Sequence, residues 1–230
     1  MNTRETATGT VVLLHGLMLG AWAMARVAAA ARRAGFRTVN LSYRSRTVPF
    51  ETLARDWLPA QLARHGVGLA ADDPPLHFVT QSMGGLVLRG WLQAHGRPPP
   101  LRRVVMFAPP NQGTELVDQL AAFRAFRAVF GVTAPRLGTR PNSLPGSLGP
   151  WPADVELGII AGDRPVLPAL VRWTREPSDG KVAVASTRLE GMQDHLTLPH
   201  SHTWLQYRRA GVVQAVTFLQ RGRFEHRPVS

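Results

Sequence analysis

The hydrophobic positions of this 230-residue chain fall into short continuous runs separated by stretches with helical spacing. Thr10-Val-Val-Leu-Leu14 is the first run, bounded by polar residues, the pattern of a strand buried on both faces. An alanine-rich helical stretch over 21–34 follows and is stopped by Gly35; Arg37 to Leu41 reads as a second strand. Residues 50–64 read as a helix with Leu53, Trp57 and Leu58 close to one face, and Pro59 predicts a kink in it. Leu76, Phe78 and Val79 start a third strand, which Gly84 and Gly85 break. Leu86, Val87, Leu88, Trp91 and Leu92 then open a helix that runs to about His95. Residues 101–108 give a fourth buried strand. Thr114 is placed to cap a helix over 115–130, with Leu116, Leu120, Phe123, Phe126 and Phe130 as its apolar stripe. Residues 131–152 are rich in Pro, Gly and Ser. Strands are predicted at 156–161 and 181–185, and a closing helix at 204–221. This alternation predicts one α/β domain over 1–230, with a mostly parallel sheet of about six strands and helices on both faces. Residues 114–151 fall between two of those strands as a small cap-like insertion.

Composition narrows the chemistry. Apolar residues make up 44% of the chain, and no run approaches the length of a membrane span. The absence of cysteine removes disulfides, thiolate catalysis and cysteine metal ligands. The net charge of +12 is carried almost entirely by arginine, because Lys181 is the only lysine. The arginines are scattered singly or in pairs with no aromatic-interleaved basic helix, so a solvated surface is expected and no nucleic-acid partner. Weak attraction to an anionic membrane surface is expected at low salt. The first ten residues are polar, with Glu5 beside Arg4 and no apolar signal core, so the expected location is cytoplasmic. Neither phosphate-binding glycine pattern occurs, nor does H-E-x-x-H, so no cofactor and no metal is expected.

The candidate chemistry centres on Thr80-Gln-Ser-Met-Gly84. A strand turning sharply into a helix at a serine exposes the hydroxyl to a base, and Gly84 lets strand and helix approach. Thr80 stands where the usual G-x-S-x-G pattern has its first glycine. A serine hydroxyl becomes a competent nucleophile when a histidine takes its proton and an acid holds that histidine. Behind Ser82, the candidate acids are Asp163 and Asp179, and the candidate bases are His195, His200 and His202. Ahead of it, His15-Gly16 closes the first strand. The Leu17 N–H after that glycine and the Met83 N–H after the serine are the candidate oxyanion-hole donors.

Leu14-His-Gly-Leu17, Thr80-Gln-Ser-Met-Gly-Gly85, Ala108-Pro-Pro-Asn-Gln-Gly-Thr-Glu115, Ser178-Asp-Gly-Lys-Val182 and Ser201-His-Thr-Trp-Leu205 occur in this order over most of the chain. In this respect the chain resembles compact bacterial α/β-hydrolases of the lipase/esterase type. The resemblance implies the α/β-hydrolase fold, no cofactor, and a Ser–His–Asp triad in which Ser82, Asp179 and His202 match the nucleophile, acid and base, with Leu17 and Met83 as oxyanion donors. Gln81 stands where the family often has histidine. The implied activity is hydrolysis of carboxylic esters, with a small-molecule or lipid ester as substrate. An acyltransferase or thioesterase on the same triad, or a non-catalytic hydrolase-like binding module, are the alternatives. Oligomeric state is not legible in the sequence.

Overall fold

In the computed structural model, which describes residues 8–166, 174 and 177–226, the runs of apolar residues become the strands of a single parallel sheet. Strands β1 (Thr10–Leu14), β2 (Arg37–Leu41), β3 (Leu76–Gln81), β4 (Leu101–Phe107), β5 (Glu156–Gly162) and β6 (Asp194–Leu198) are ordered β2-β1-β3-β4-β5-β6. The α1 helix (Ala25–Arg33), entered through a 3-10 turn at Ala21–Met24, and α8 (Arg209–Arg221) cover one face. The other face carries α2 (Phe50–Thr52), α3 (Leu58–Arg64) and α4 (Met83–His95). Each face has its own apolar core. Val12, Leu14, Phe78, Val104 and Ile159 point to one, and Val11, Leu13, Val79, Val105 and Ile160 to the other. Residues that alternate along a strand serve opposite faces, so a sheet covered on both sides needs continuous apolar runs.

Register brings the strands to a common edge. Leu14 is level with Thr80, Gln81 with Phe107, Phe107 with Ile160, and Gly162 with Leu198. The loops carrying Gly16, Ser82, Pro109 and His202 therefore leave from the C-terminal end of the sheet. The connections reverse direction between β1 and β3, the crevice where open α/β sheets bind ligands.

Four local expectations are corrected. Residues 50–64 are not one kinked α-helix, because a π-helical turn at Leu53–Trp57 separates α2 from α3. Pro59 has no N–H to give the Arg55 carbonyl, which instead lies 2.9 Å from His95 Nε2. The helix predicted over 115–130 breaks into α5 (Glu115–Leu120) and α6 (Arg124–Phe130) at an extended Phe123 that is 62% exposed. Residues 181–185 do not form a strand. They leave a turn held by Asp179 and enter a short helix, α7 (Val184–Thr187). The sixth strand is β6 instead. The closing helix begins at Arg209 rather than 204, since residues 202–207 are turns. Among the described residues, no helix is long and apolar enough to cross a membrane.

Candidate active site

The turn from β3 into α4 holds Ser82 in a strained conformation, φ 51 and ψ −123. A non-glycine residue there costs on the order of 1–3 kcal/mol and persists only where its surroundings enforce it. The enforcement is visible. The Ser82 N–H donates to the Phe107 carbonyl at 2.8 Å, and the Ser82 carbonyl accepts from Gly85 N–H at 3.0 Å. A Cβ on Gly84 would lie 2.7 Å from the carbonyl oxygens of both Leu14 and His15, so only glycine lets α4 close against β1. Thr80, in place of the usual first glycine, is fully buried. Its hydroxyl faces Gly85, where a Cβ would come within 3.2 Å, so the second glycine of the pair accommodates the substitution.

Ser82, His202 and Asp179 are brought into one line of hydrogen bonds. Ser82 Oγ lies 3.0 Å from His202 Nε2, and His202 Nδ1 lies 2.7 Å from Asp179 Oδ2. A carboxylate only accepts, so Nδ1 carries the proton and Nε2 of the neutral ring is left to accept from the serine. The second carboxylate oxygen of Asp179 accepts from the N–H groups of Lys181 (2.9 Å) and Val182 (2.8 Å). Asp179 therefore both shapes its turn and holds His202. The histidine and aspartate are buried, while Ser82 is half-buried and faces a cavity.

The other candidates lie elsewhere. Asp163 makes a long 3.7 Å contact with the exposed Arg164 and does not reach His202. His195 Nε2 is 2.9 Å from Thr187 Oγ1, and burial, with Arg188 adding to it, lowers its pKa to about 4. His200 is half-buried, its pKa lowered chiefly by desolvation, and it does not border the cavity.

The β1 side of the site is held by a buried pair, His15 of the first motif and Tyr43, the latter a residue that nothing in the sequence singles out. Tyr43 N–H donates to His15 Nε2 (3.1 Å), so Nδ1 carries the proton and donates to the Gly16 carbonyl (2.7 Å). The Tyr43 hydroxyl donates to the His15 carbonyl, and the two rings stack 4.1 Å apart. Burial keeps the imidazole neutral by lowering its pKa, against an opposing contribution from the Gly16 bond. Trp57, presented by the π turn, packs against Tyr43. The following residue pair is equally constrained. Gly16 backs onto Gln81 and Ser82, and Met18 adopts φ 62 with its N–H on Ser45 Oγ at 2.9 Å. The Leu17 and Met83 N–H groups make no hydrogen bond to a described residue, and Leu17 borders the cavity.

That cavity has a volume of about 390 Å3. Leu116, Val117, Leu120, Phe126, Phe130 and Leu137 from the segment between β4 and β5 form much of its wall, facing Ser82, His202 and Gln81. The predicted stripe is thus split by the break at Phe123: four of its five members face the cavity and Phe123 faces solvent. Gln81 is buried, with its Oε1 unpartnered at the cavity wall. Buried Arg89 of α4 ties the segment down through the Asn111, Leu148 and Gly149 carbonyls and Asn111 Oδ1; burial lowers its pKa to about 10. Sequence reasoning missed Arg89 because nothing local distinguishes it from a solvated helix residue. Among the described residues, no three His, Asp or Glu side chains are grouped to hold a metal ion.

No protein-family model and no curated protein sequence matches the chain. Solved structures do. The mature lipase BlEst2 of Bacillus licheniformis superposes with a TM-score of 0.70 at 16% identity, over 95% of this chain and 93% of that one. Phospholipase PlaB of Legionella pneumophila, in complex with thio-NAD, gives 0.71 at 15% identity, over 93% of this chain but 59% of its own. EstA of Clostridium botulinum gives 0.65 at 12% identity, over 95% and 88%. The sheet order, the strand-to-helix turn at Ser82 and these likenesses lead to one conclusion about architecture: the chain has the α/β-hydrolase fold.

Proposed function

We propose that this protein hydrolyses carboxylic esters through an acyl-enzyme formed on Ser82. The observation that carries the proposal is the continuous line Ser82 Oγ–His202 Nε2 (3.0 Å) and His202 Nδ1–Asp179 Oδ2 (2.7 Å), ending at a cavity beside the serine. In this reading Ser82 Oγ attacks the ester carbonyl carbon while its proton passes to His202 Nε2. Asp179 orients the ring and stabilises the imidazolium without taking the proton. The Leu17 and Met83 N–H groups, which have no partner among the described residues, stabilise the developing oxyanion. The imidazolium then protonates the departing alcohol. A water molecule, deprotonated by His202, attacks the acyl-enzyme and releases the acid.

The segment over 114–151 acts here as a small cap. Its apolar side chains take the acyl group, and a cavity of about 390 Å3 is near the low end of ligand pockets, roughly 300–1,000 Å3, which favours short or medium acyl chains. Likeness to lipases and esterases supports the reading at the level of fold; the argument for function rests on the site. The test is hydrolysis of p-nitrophenyl esters of increasing chain length by wild type and Ser82→Ala. Wild-type turnover that peaks at short or medium chains and disappears in the folded variant supports the proposal. Equal turnover by both proteins contradicts it.

A further inference from the structure

Lys181 stands apart from the rest of the chain's positive charge. It is the only lysine in a sequence with 27 Lys and Arg residues, and it follows the Asp179-Gly180 turn. Among the described residues lining the cavity beside Ser82, it is the only one with a permanent charge. Its main chain is pinned at two points. The N–H donates to Asp179 Oδ1 at 2.9 Å, and the carbonyl accepts from the Thr114 hydroxyl. The residue both borders the cavity and is exposed to solvent, the combination expected at a cavity's rim.

The ammonium has no ion-pair partner among the described residues. The nearby carboxylate of Asp179 is already occupied by His202 on one oxygen and by two N–H groups on the other. Although the residue is exposed, enough protein surrounds the ammonium for burial to lower its pKa, with Asp179 pulling the other way. A partly desolvated cation without a partner attracts an anion more strongly than one in open water. The walls behind it are apolar, including Leu116, Leu120, Phe126 and Phe130. An acyl chain lying against those walls, with its carbonyl at Ser82, leaves the alcohol portion of the ester facing the mouth.

We infer that the site selects esters whose alcohol portion carries an oxyanion, phosphate or carboxylate, bound by the Lys181 ammonium at the cavity mouth; this rests on the ester-hydrolase reading above. A lysine suits either group, because its three donors rotate freely around a point charge.

The test compares kcat/KM for octanoyl glycerol (neutral), octanoyl glycerol phosphate and the octanoyl ester of glycolic acid (carboxylate), followed by octanoate release. Wild type, Lys181→Met and Lys181→Arg are assayed alike. The readout is the ratio of each anionic ester to the neutral one within a single protein, so a general loss of fold or catalysis cancels. The ratio should fall about ten- to a hundredfold in Lys181→Met, the range expected for a hydrogen bond between charged groups. It should be largely retained in Lys181→Arg and should shrink in wild type at high salt. A fall for the phosphate ester alone assigns a phosphorylated headgroup; a fall for both assigns a general oxyanion subsite. An unchanged ratio in Lys181→Met overturns the inference while ester hydrolysis stands. If wild type cleaves none of the three esters and a fluorophosphonate leaves Ser82 unlabelled, the hydrolase reading falls and takes the inference with it.

Discussion

Asp179 and His202 are joined twice: the ring Nδ1–H donates to Asp179 Oδ2 at 2.7 Å, and the His202 main-chain N–H donates to the Asp179 carbonyl at 3.2 Å. The loop that carries the imidazole is therefore tied to the residue that orients the ring. Asp179→Asn keeps its one oxygen for the Lys181 and Val182 N–H groups only by presenting an amide NH2 to Nδ1, to which the protonated Nδ1 cannot donate. Its kcat should fall at least about two orders of magnitude, with little change in melting temperature. Asp163→Asn should keep most activity. Kinetics and thermal melts of both variants check this, and the reverse pattern would move the acid to Asp163.

The parts of the fold that were legible in sequence are those whose signal is local. Thr10–Leu14 and residues 104–107 are buried on both faces, so their apolar runs were unmistakable. The strand-turn-helix at Ser82 declared itself through Gly84 and Gly85, and the order of serine, acid and histidine followed from chain position. The edge strand β6 was not legible. Asp194-His-Leu-Thr-Leu198 is mostly half-buried, and its residues neither run apolar nor alternate cleanly. Residues 181–185 misled in the opposite sense. Val182 and Ala183 are buried, but by a turn whose N–H groups are taken by Asp179, a partner no periodicity reveals. The same holds for Arg89 and Tyr43, whose roles come from carbonyls and rings distant in sequence.

Stability should fall on mild acidification because of buried neutral histidines. Burial, with Arg103 and Arg102 adding to it, lowers the pKa of His77 to about 4 from 6.5, and burial does the same for His195. Between those values the unfolded chain binds more protons than the folded one, so stability is fully present above about pH 6.5 and is lost as pH falls towards 4. His77 lies at the end of the sheet opposite Ser82, so its titration reports stability alone. Melting temperature against pH should show a shallower slope over this window in His77→Gln than in wild type.

Backbone approach at the elbow predicts a sharp contrast between two glycines. Gly84→Ala pushes a methyl group into the Leu14 and His15 carbonyls and should cost about 1–3 kcal/mol or more. Gly149→Ala meets nothing within 4 Å and should be close to neutral. Urea unfolding of the two variants measures the difference.

Chain-length preference should respond to the cavity wall. Phe126 and Phe130 border the cavity and pack on each other with ring centroids 4.7 Å apart. Phe130→Ala enlarges the space, so the optimum acyl length should shift upward by two or more carbons, at about 0.8 kcal/mol for each methylene newly buried. A series of p-nitrophenyl esters reads the shift directly.

The central claim is that Ser82 is a nucleophile activated by His202, and covalent labelling tests it without knowledge of the substrate. The protein is treated with a fluorophosphonate at neutral pH, digested, and the modified residue located by mass spectrometry. The account predicts one adduct, on Ser82. Labelling should slow by orders of magnitude in a folded His202→Ala and be absent in Ser82→Ala. An adduct on another residue, or equally fast labelling of Ser82 without His202, would contradict it.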